Sequence, residues 1–363
     1  MKHIYFTVTN DLNFDQRMQR ICTSLATNGY TVTLVGRTLK TSLPLTVQKF
    51  KQLRLTCIFD KGVAFYAEYN FRLFFYLVFR RMDAVCAIDL DTIIPCLLVS
   101  KLKKIERIYD AHELFCEMKE VVSRPKVYKV WKWIERKTVP LFKWGYTVNE
   151  PIRDIFKKEY SVSYGVIRNL PLRTIETMPA DKQTFIIYQG AVNHGRSFET
   201  LIPAFNHTDF PLHIYGDGNF LEEAKAITIK YQLSNKVLFK GKTLPTELKK
   251  ITPSAILGIT LFENNGLSNY YSLANRFFDY IQAGIPQLCV NYPAYKKIND
   301  EYDIAVLIED LSPISIATAI NDFLKSEEVQ NKLRANCLKA REELNWQKEE
   351  KVLLHFYENL FSK

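Results

Sequence analysis

The sequence predicts an α/β protein built from two doubly wound parallel sheets, one in each half of the chain. Three observations carry that prediction. Short apolar runs end in polar tips, segments of helical period separate them, and the alternation restarts after a proline-punctuated stretch near residue 170. Strands joined through a helix pair in parallel, and a parallel sheet needs helices on both faces.

His3 to Val8 is the first strand, stopping at Thr9-Asn10-Asp11-Leu12-Asn13. From Phe14 the period is helical, with Met18, Ile21, Cys22, Leu25 and Ala26 on one face. Gly29 ends that helix, and Thr31 to Val35 resumes a β-branched strand. Further strands are expected at Ala84–Ile88, Glu106–Asp110, Tyr146–Asn149 and Gly165–Ile167, with a helix over Ile93–Leu102 and a long basic, aromatic helical stretch over Val122–Pro140. Residues 169–182 read as a linker between domains over 1–168 and 183–345. In the second domain, strands are expected at Phe185–Tyr188, Leu212–Tyr215, Val237–Phe239, Ala255–Thr260 and Gln287–Val290. Helices between them are expected at Phe198–Phe205, Leu221–Tyr231, Thr246–Lys250 and Asn275–Ala283.

At 363 residues the chain can bury a core in each of two domains. A 47% hydrophobic and 24% charged composition excludes a disordered chain. The apolar run Phe71–Phe79 is interrupted by Arg72 and ends in Arg80-Arg81, well short of the ~20 residues of a membrane span. Met1 to Phe6 enters a strand rather than a signal peptide, so a cytoplasmic protein is expected. Cys22, Cys57, Cys86, Cys96, Cys116, Cys289 and Cys337 are scattered without Cys-x-x-Cys spacing, which reads as reduced thiols and no zinc site. The charge is lopsided. Residues 1–170 hold 28 Lys and Arg against 16 Asp and Glu, while the remainder holds 21 against 23. An acidic partner for the first half follows: anionic lipid, a phosphorylated acceptor or nucleic acid.

Ligands of open parallel sheets bind at the carboxyl ends of the strands. Five polar segments fall there: Asn10–Asn13, Asp110–Glu113, Gly190–Arg196, Gly216–Gly218, and Gly266–Asn275 leading into the helix that carries Asp279. Arg196 and the helix start at Asn275-Arg276 suit phosphate, by forked donors and by open N–H groups. Arg196 read alone also fits a plain helix-start residue. Asp279 holds ribose hydroxyls or merely offsets the helix dipole. His112, between Asp110 and Glu113, hydrogen-bonds a sugar hydroxyl or accepts an acceptor's proton.

Four stretches resemble the GT-B glycosyltransferases, specifically the retaining group known as family 4. They are Phe14-Asp15-Gln16-Arg17 with Gly29-Tyr30-Thr31-Val32; Tyr109-Asp110-Ala111-His112-Glu113; Gln189 to Arg196 with Leu201 to Phe205; and Ser272 to Pro286. The resemblance implies two Rossmann-like domains facing across a cleft, and a last helix over 346–363 that crosses back to the first. It places Gly190, Gly216, Arg196, Ser272, Asn275 and Arg276 at a nucleoside-diphosphate sugar donor, Asp279 near the ribose and His112 at the transferred sugar. Transfer to an acceptor hydroxyl with retention is implied, as in bacterial-type surface polysaccharide or glycoconjugate assembly. No metal is expected, since His112 and Arg196 serve a reaction whose positive charge comes from the protein. Two departures stand out: Tyr271 replaces the first glutamate of the family's paired signature, and Ala191 a second basic residue.

Cations interleave with aromatics over Lys126, Tyr128, Lys129, Trp131, Lys132, Trp133, Arg136 and Lys137, and over Phe71, Arg72, Phe74, Phe75, Tyr76, Phe79, Arg80 and Arg81. They suit peripheral attachment to the inner leaflet, where a saccharide or lipid-linked saccharide acceptor is found, or else a core with a solvated basic face. Other readings stay open: a sugar-nucleotide epimerase of the same fold, a catalytically weakened sugar-nucleotide binder, and a nucleic-acid binder. For the last, sequence motifs are absent, so no nucleic acid is expected.

Overall fold

The computed structural model describes residues 1–13, 15–173 and 185–362. Phe14 and residues 174–182 of the expected linker lie outside them. Two compact units emerge, Met1–Asn169 with Glu349–Lys363, and Leu170–Lys348.

In the first unit the strands are β1 (His3–Thr7), β2 (Thr31–Arg37), β3 (Lys51–Leu55), β4 (Ala84–Ile88), β5 (Glu106–Ala111), β6 (Trp144–Thr147) and β7 (Gly165–Val166). They form one sheet in the order β3-β2-β1-β4-β5-β6-β7, every pair parallel. All five residues of β4 are buried, as a central strand covered on both faces requires. The last helix, Trp346–Phe361, returns Tyr357 to this unit. Its buried hydroxyl lies 3.2 Å from that of Tyr146, and its ring packs near Phe6 and Tyr30.

The second unit has β8 (Ile186–Gln189), β9 (Leu212–Tyr215), β10 (Val237–Gly241), β11 (Leu257–Thr260), β12 (Gln287–Val290) and β13 (Ala305–Ile308). Their order is β10-β9-β8-β11-β12-β13, again all parallel. Winding therefore reverses between β1 and β4 in one sheet and between β8 and β11 in the other. Those reversals open crevices at the strands' carboxyl ends.

One expected element is corrected. The helical stretch Val122–Pro140 is broken, into a short turn Lys119–Val122 and a helix Pro125–Thr138. Pro125 has no N–H for a continuing ladder and forces Arg124 out of helical geometry (φ −123, ψ 86), so it can only begin a helix. Edge strand β3 and the helix Gly62–Val78 were not among the expected elements.

Candidate functional site

β5 delivers Asp110 into the core of the first unit and puts His112 just past the strand's end. Arg17 donates to the buried Asp110 carboxylate from Nη2 (2.8 Å, to Oδ1) and Nε (3.4 Å, to Oδ2), and His112 Nε2 lies 3.1 Å from Oδ2. A third Arg17 bond, from Nη1 to the Ile167 carbonyl at 2.9 Å, fixes the guanidinium. Just past β4 stands Asp89, whose Oδ1 accepts the His112 backbone N–H at 2.9 Å. Its Oδ2 is 3.8 Å from His112 Nδ1, and 22% of the histidine side chain remains exposed. Burial opposes the imidazolium, but Asp110 and Asp89 outweigh it and push the His112 pKa up to about 9. At neutral pH this ring is a charged donor. Burial also raises Asp89, to about 7, against the pull of His112.

In the second unit, Gln189 closes β8 and Gly190 starts the loop beyond it. Gly190 (φ +128) and Gly216, just past β9, are back to back. A Cβ on Gly216 would lie 1.8 Å from the Gly190 carbonyl oxygen, so no side chain fits there. A Cβ on Gly190 would be 3.6 Å from Nη1 of Arg276. Arg276 belongs to the first turn of the helix Asn275–Ala283, which lacks a side-chain cap. Its buried guanidinium lies over Tyr188 (4.7 Å) and Phe262 (4.5 Å) and donates a long 3.4 Å bond to the Leu261 carbonyl. Arg196 covers the same Phe262 ring at 4.3 Å and donates Nη1–H to Asn269 at 3.2 Å.

Asp279 sits one turn further along that helix and accepts Gln189 Nε2 at 3.1 Å, beside the end of β8. Gln189 is held in turn by Thr252, 2.7 Å from its Oε1. Ser272 points elsewhere: its hydroxyl donates to the Asn269 carbonyl (2.8 Å) and lies 3.3 Å from the Tyr295 hydroxyl. Asn275 is exposed, and Tyr271 packs edge-on against Tyr270. One end of the second sheet thus gathers Gly190, Gly216, Arg196, Arg276 and Asp279, while His112 belongs to the first unit. Among the described residues, no His, Cys, Asp and Glu side chains cluster as metal ligands.

This arrangement offers fixed cations and close backbone approach to an anionic ligand. Residues 175–340 match the family model for glycosyl transferases group 1. The matched stretch lies in the second unit, which is thus similar to the group 1 glycosyltransferases. Similar solved structures agree on the fold over the full length. Sucrose-phosphate synthase from Thermosynechococcus elongatus is 14% identical, with a TM-score of 0.81 and 100% of both chains covered. HepE from Anabaena, solved with UDP and glucose, is 10% identical, with a TM-score of 0.78 and coverage of 98% and 99%. WaaG, a glycosyltransferase involved in lipopolysaccharide biosynthesis, is 14% identical, with a TM-score of 0.73 and coverage of 99% and 100%. No curated protein matches the sequence. The fold of the chain is GT-B, with both units Rossmann-like.

Several residues of these sites escape a reading of the sequence. Phe262 follows β11 and Asp89 follows β4, so both stand at strand ends, where ligands are expected. Arg17 carried only the signal of a cation on an otherwise apolar helix face, with Met18 and Ile21 buried beside it.

Proposed function

We propose that this protein moves a sugar from a nucleoside diphosphate to a hydroxyl of a saccharide or lipid-linked saccharide, with retention, in surface polysaccharide or glycoconjugate assembly. The convergence of Arg196 and Arg276 on Phe262, beside Gly190, carries the reading. Two guanidiniums and the uncapped start of the helix Asn275–Ala283 meet the charge of a departing diphosphate. Asp279 takes ribose hydroxyls, and His112, charged at neutral pH, donates to a hydroxyl of the transferred sugar. A ring that keeps its proton favours this donor role over that of a base. HepE, whose structures hold UDP and UDP-glucose, supports uridine nucleotides as the first probes.

The acceptor is met at an anionic bilayer, with the protein peripheral on its cytoplasmic face. Phe71, Phe79 and Trp133 are 66%, 80% and 62% exposed among basic residues, which supports this. Among the described residues no helix is long and apolar enough to cross a membrane.

A thermal-shift screen against UDP, GDP, ADP, CMP and their sugar conjugates tests the donor. A ligand of the folded state raises the melting temperature, and Arg196→Ala must abolish the response. No response to any nucleotide at millimolar concentration overturns the proposal.

A further inference from the structure

Asp89 has φ +52 and ψ −172. Lys104, Ser161 and Asp303 also have positive φ, but with ψ of 43, 33 and 65 they occupy the left-handed well that ends helices. Ser197 lies in the same well, with ψ 26. Asp89 lies outside it, in a region that glycine enters freely and a residue with a Cβ enters only under strain. A chain that keeps aspartate there holds the side chain in place against the preference of its backbone.

The hydrogen bond from the His112 amide to Oδ1 does not account for the carboxylate, because an asparagine oxygen would accept it equally well. The other oxygen faces His112 Nδ1 across 3.8 Å, too far for a hydrogen bond, and the two side chains are 15% and 22% exposed. Asp110 occupies Nε2 from the buried side, so Nδ1 is the imidazole's outward donor. A hydroxyl seated on the open edge of this pair donates to Asp89 Oδ2 and accepts from Nδ1, using both faces of its chemistry. A donor and an acceptor side by side suit a neutral hydroxyl, which needs one of each.

We infer that Asp89 is a substrate-contacting residue, which together with His112 grips a carbohydrate hydroxyl at the carboxyl ends of β4 and β5. The position adjoins the reversal of winding between β1 and β4, where this topology opens a crevice. On the β1 side, Asp91 is already engaged by Thr9, which donates to it at 2.7 Å, while the Asp89 and His112 side chains both keep some exposure. The inference rests on His112 facing substrate.

Asp89→Gly separates function from fold, since glycine relieves the strained backbone while deleting the carboxylate. The full-length chain is assayed for release of nucleotide from the UDP, GDP, ADP and CMP sugars, alongside its melting temperature. The expected result is an unchanged or higher melting temperature with turnover reduced about 100-fold, as for removal of a dedicated hydrogen bond to a substrate hydroxyl. Asp89→Asn, which preserves the bond to the His112 amide, is expected to be impaired at a normal melting temperature. A lower melting temperature with full turnover per folded molecule in Asp89→Gly overturns the inference and leaves a structural tie. If His112→Ala is inactive while both Asp89 variants are active, only this inference falls. If His112→Ala is fully active, or the wild type turns over no sugar nucleotide, the reading beneath it falls as well.

Discussion

Arg196 and Arg276 reach one aromatic ring from two different elements, their guanidinium carbons 4.3 and 4.5 Å from the centre of Phe262. Two cations drawn to one ring repel each other, and an anion between them relieves that repulsion. Arg276 has only its long bond to Leu261, and its Nε is buried without a hydrogen-bond partner among the described residues.

Removing either guanidinium is therefore expected to weaken UDP binding far more than UMP binding. A charge-assisted hydrogen bond is worth about 1.5–3 kcal/mol, or roughly 10- to 150-fold in affinity. Arg276→Lys keeps the charge but not the planar fork stacked on Tyr188 and Phe262, and recovers only part of the loss. Isothermal titration of both nucleotides reads the ratio. An equal loss for UDP and UMP would place the arginines away from the second phosphate.

Gly216→Ala is expected to fail by a different route. The new methyl would meet the Gly190 carbonyl at 1.8 Å, a backbone atom with no rotamer to move. Overpacking of this kind costs about 1–3 kcal/mol and more when the backbone must shift. Gly29→Ala is the control: its φ of +89 is also positive, yet nothing lies within 4 Å of the added carbon. Its cost is the conformational part alone, about 1–2 kcal/mol. Urea midpoints compare the two, and equal losses would mean that the Gly190–Gly216 packing is slack.

Much of this framework is legible in the sequence because the signals are local. The run Ala84–Ile88 is a buried central strand, and only a parallel sheet makes such a run continuous. Arg196, Arg276 and Gly190 were placed at strand ends and helix starts by the same logic. What was not legible depends on partners far away in sequence. Arg17 meets Asp110 across 93 residues, and Arg276 shares a ring with Arg196 across 80. β3 alternates Gln52, Leu53, Arg54 and Leu55, none fully buried, so an edge strand leaves little apolar signal. Strain at Asp89 has no sequence signature at all, since aspartate is common in every turn.

The His112 network sets a pH dependence whose sign follows from the raised pKa. Folded His112 keeps its proton to about pH 9, while the unfolded ring loses it near 6.5. The stability contributed by the imidazolium with Asp110, whose own pKa is lowered, is therefore complete below about pH 6.5 and lost as pH climbs through about 9. Asp110→Asn removes the charge beside Nε2 and is expected to lower the His112 pKa, shifting the loss towards neutrality. Histidine side-chain NMR resolves this, with His112→Asn assigning the signal among six histidines. A wild-type ring that titrates near 6.5 would show that the carboxylates do not hold the charge.

The apolar surface of the first unit gives the last prediction. Along the helix Gly62–Val78, Phe65, Tyr69, Leu73 and Leu77 form the buried stripe. Phe71, Phe75 and the capping Phe79 form a second stripe at four-residue spacing, 66%, 45% and 80% exposed, beside exposed Arg72, Arg80 and Arg81. Not all of the neighbouring basic helix shares this character. Trp131 packs on Phe115 and Tyr66, and Lys132 is enclosed by Glu117, Glu135 and Glu159, so those two are internal. The protein is expected to co-sediment with phosphatidylglycerol vesicles and not with phosphatidylcholine, less so as salt rises, since each basic residue near the surface adds about 1 kcal/mol. Phe71→Ser combined with Phe79→Ser removes the wedge, and Arg80→Glu combined with Arg81→Glu reverses the charge. Both pairs should release the protein at an unchanged melting temperature because neither touches the core. Substitution of Lys132 should do the reverse, lowering stability without altering sedimentation. Equal recovery with neutral and anionic vesicles, or release by the Lys132 variant alone, would rule out this face as the docking surface.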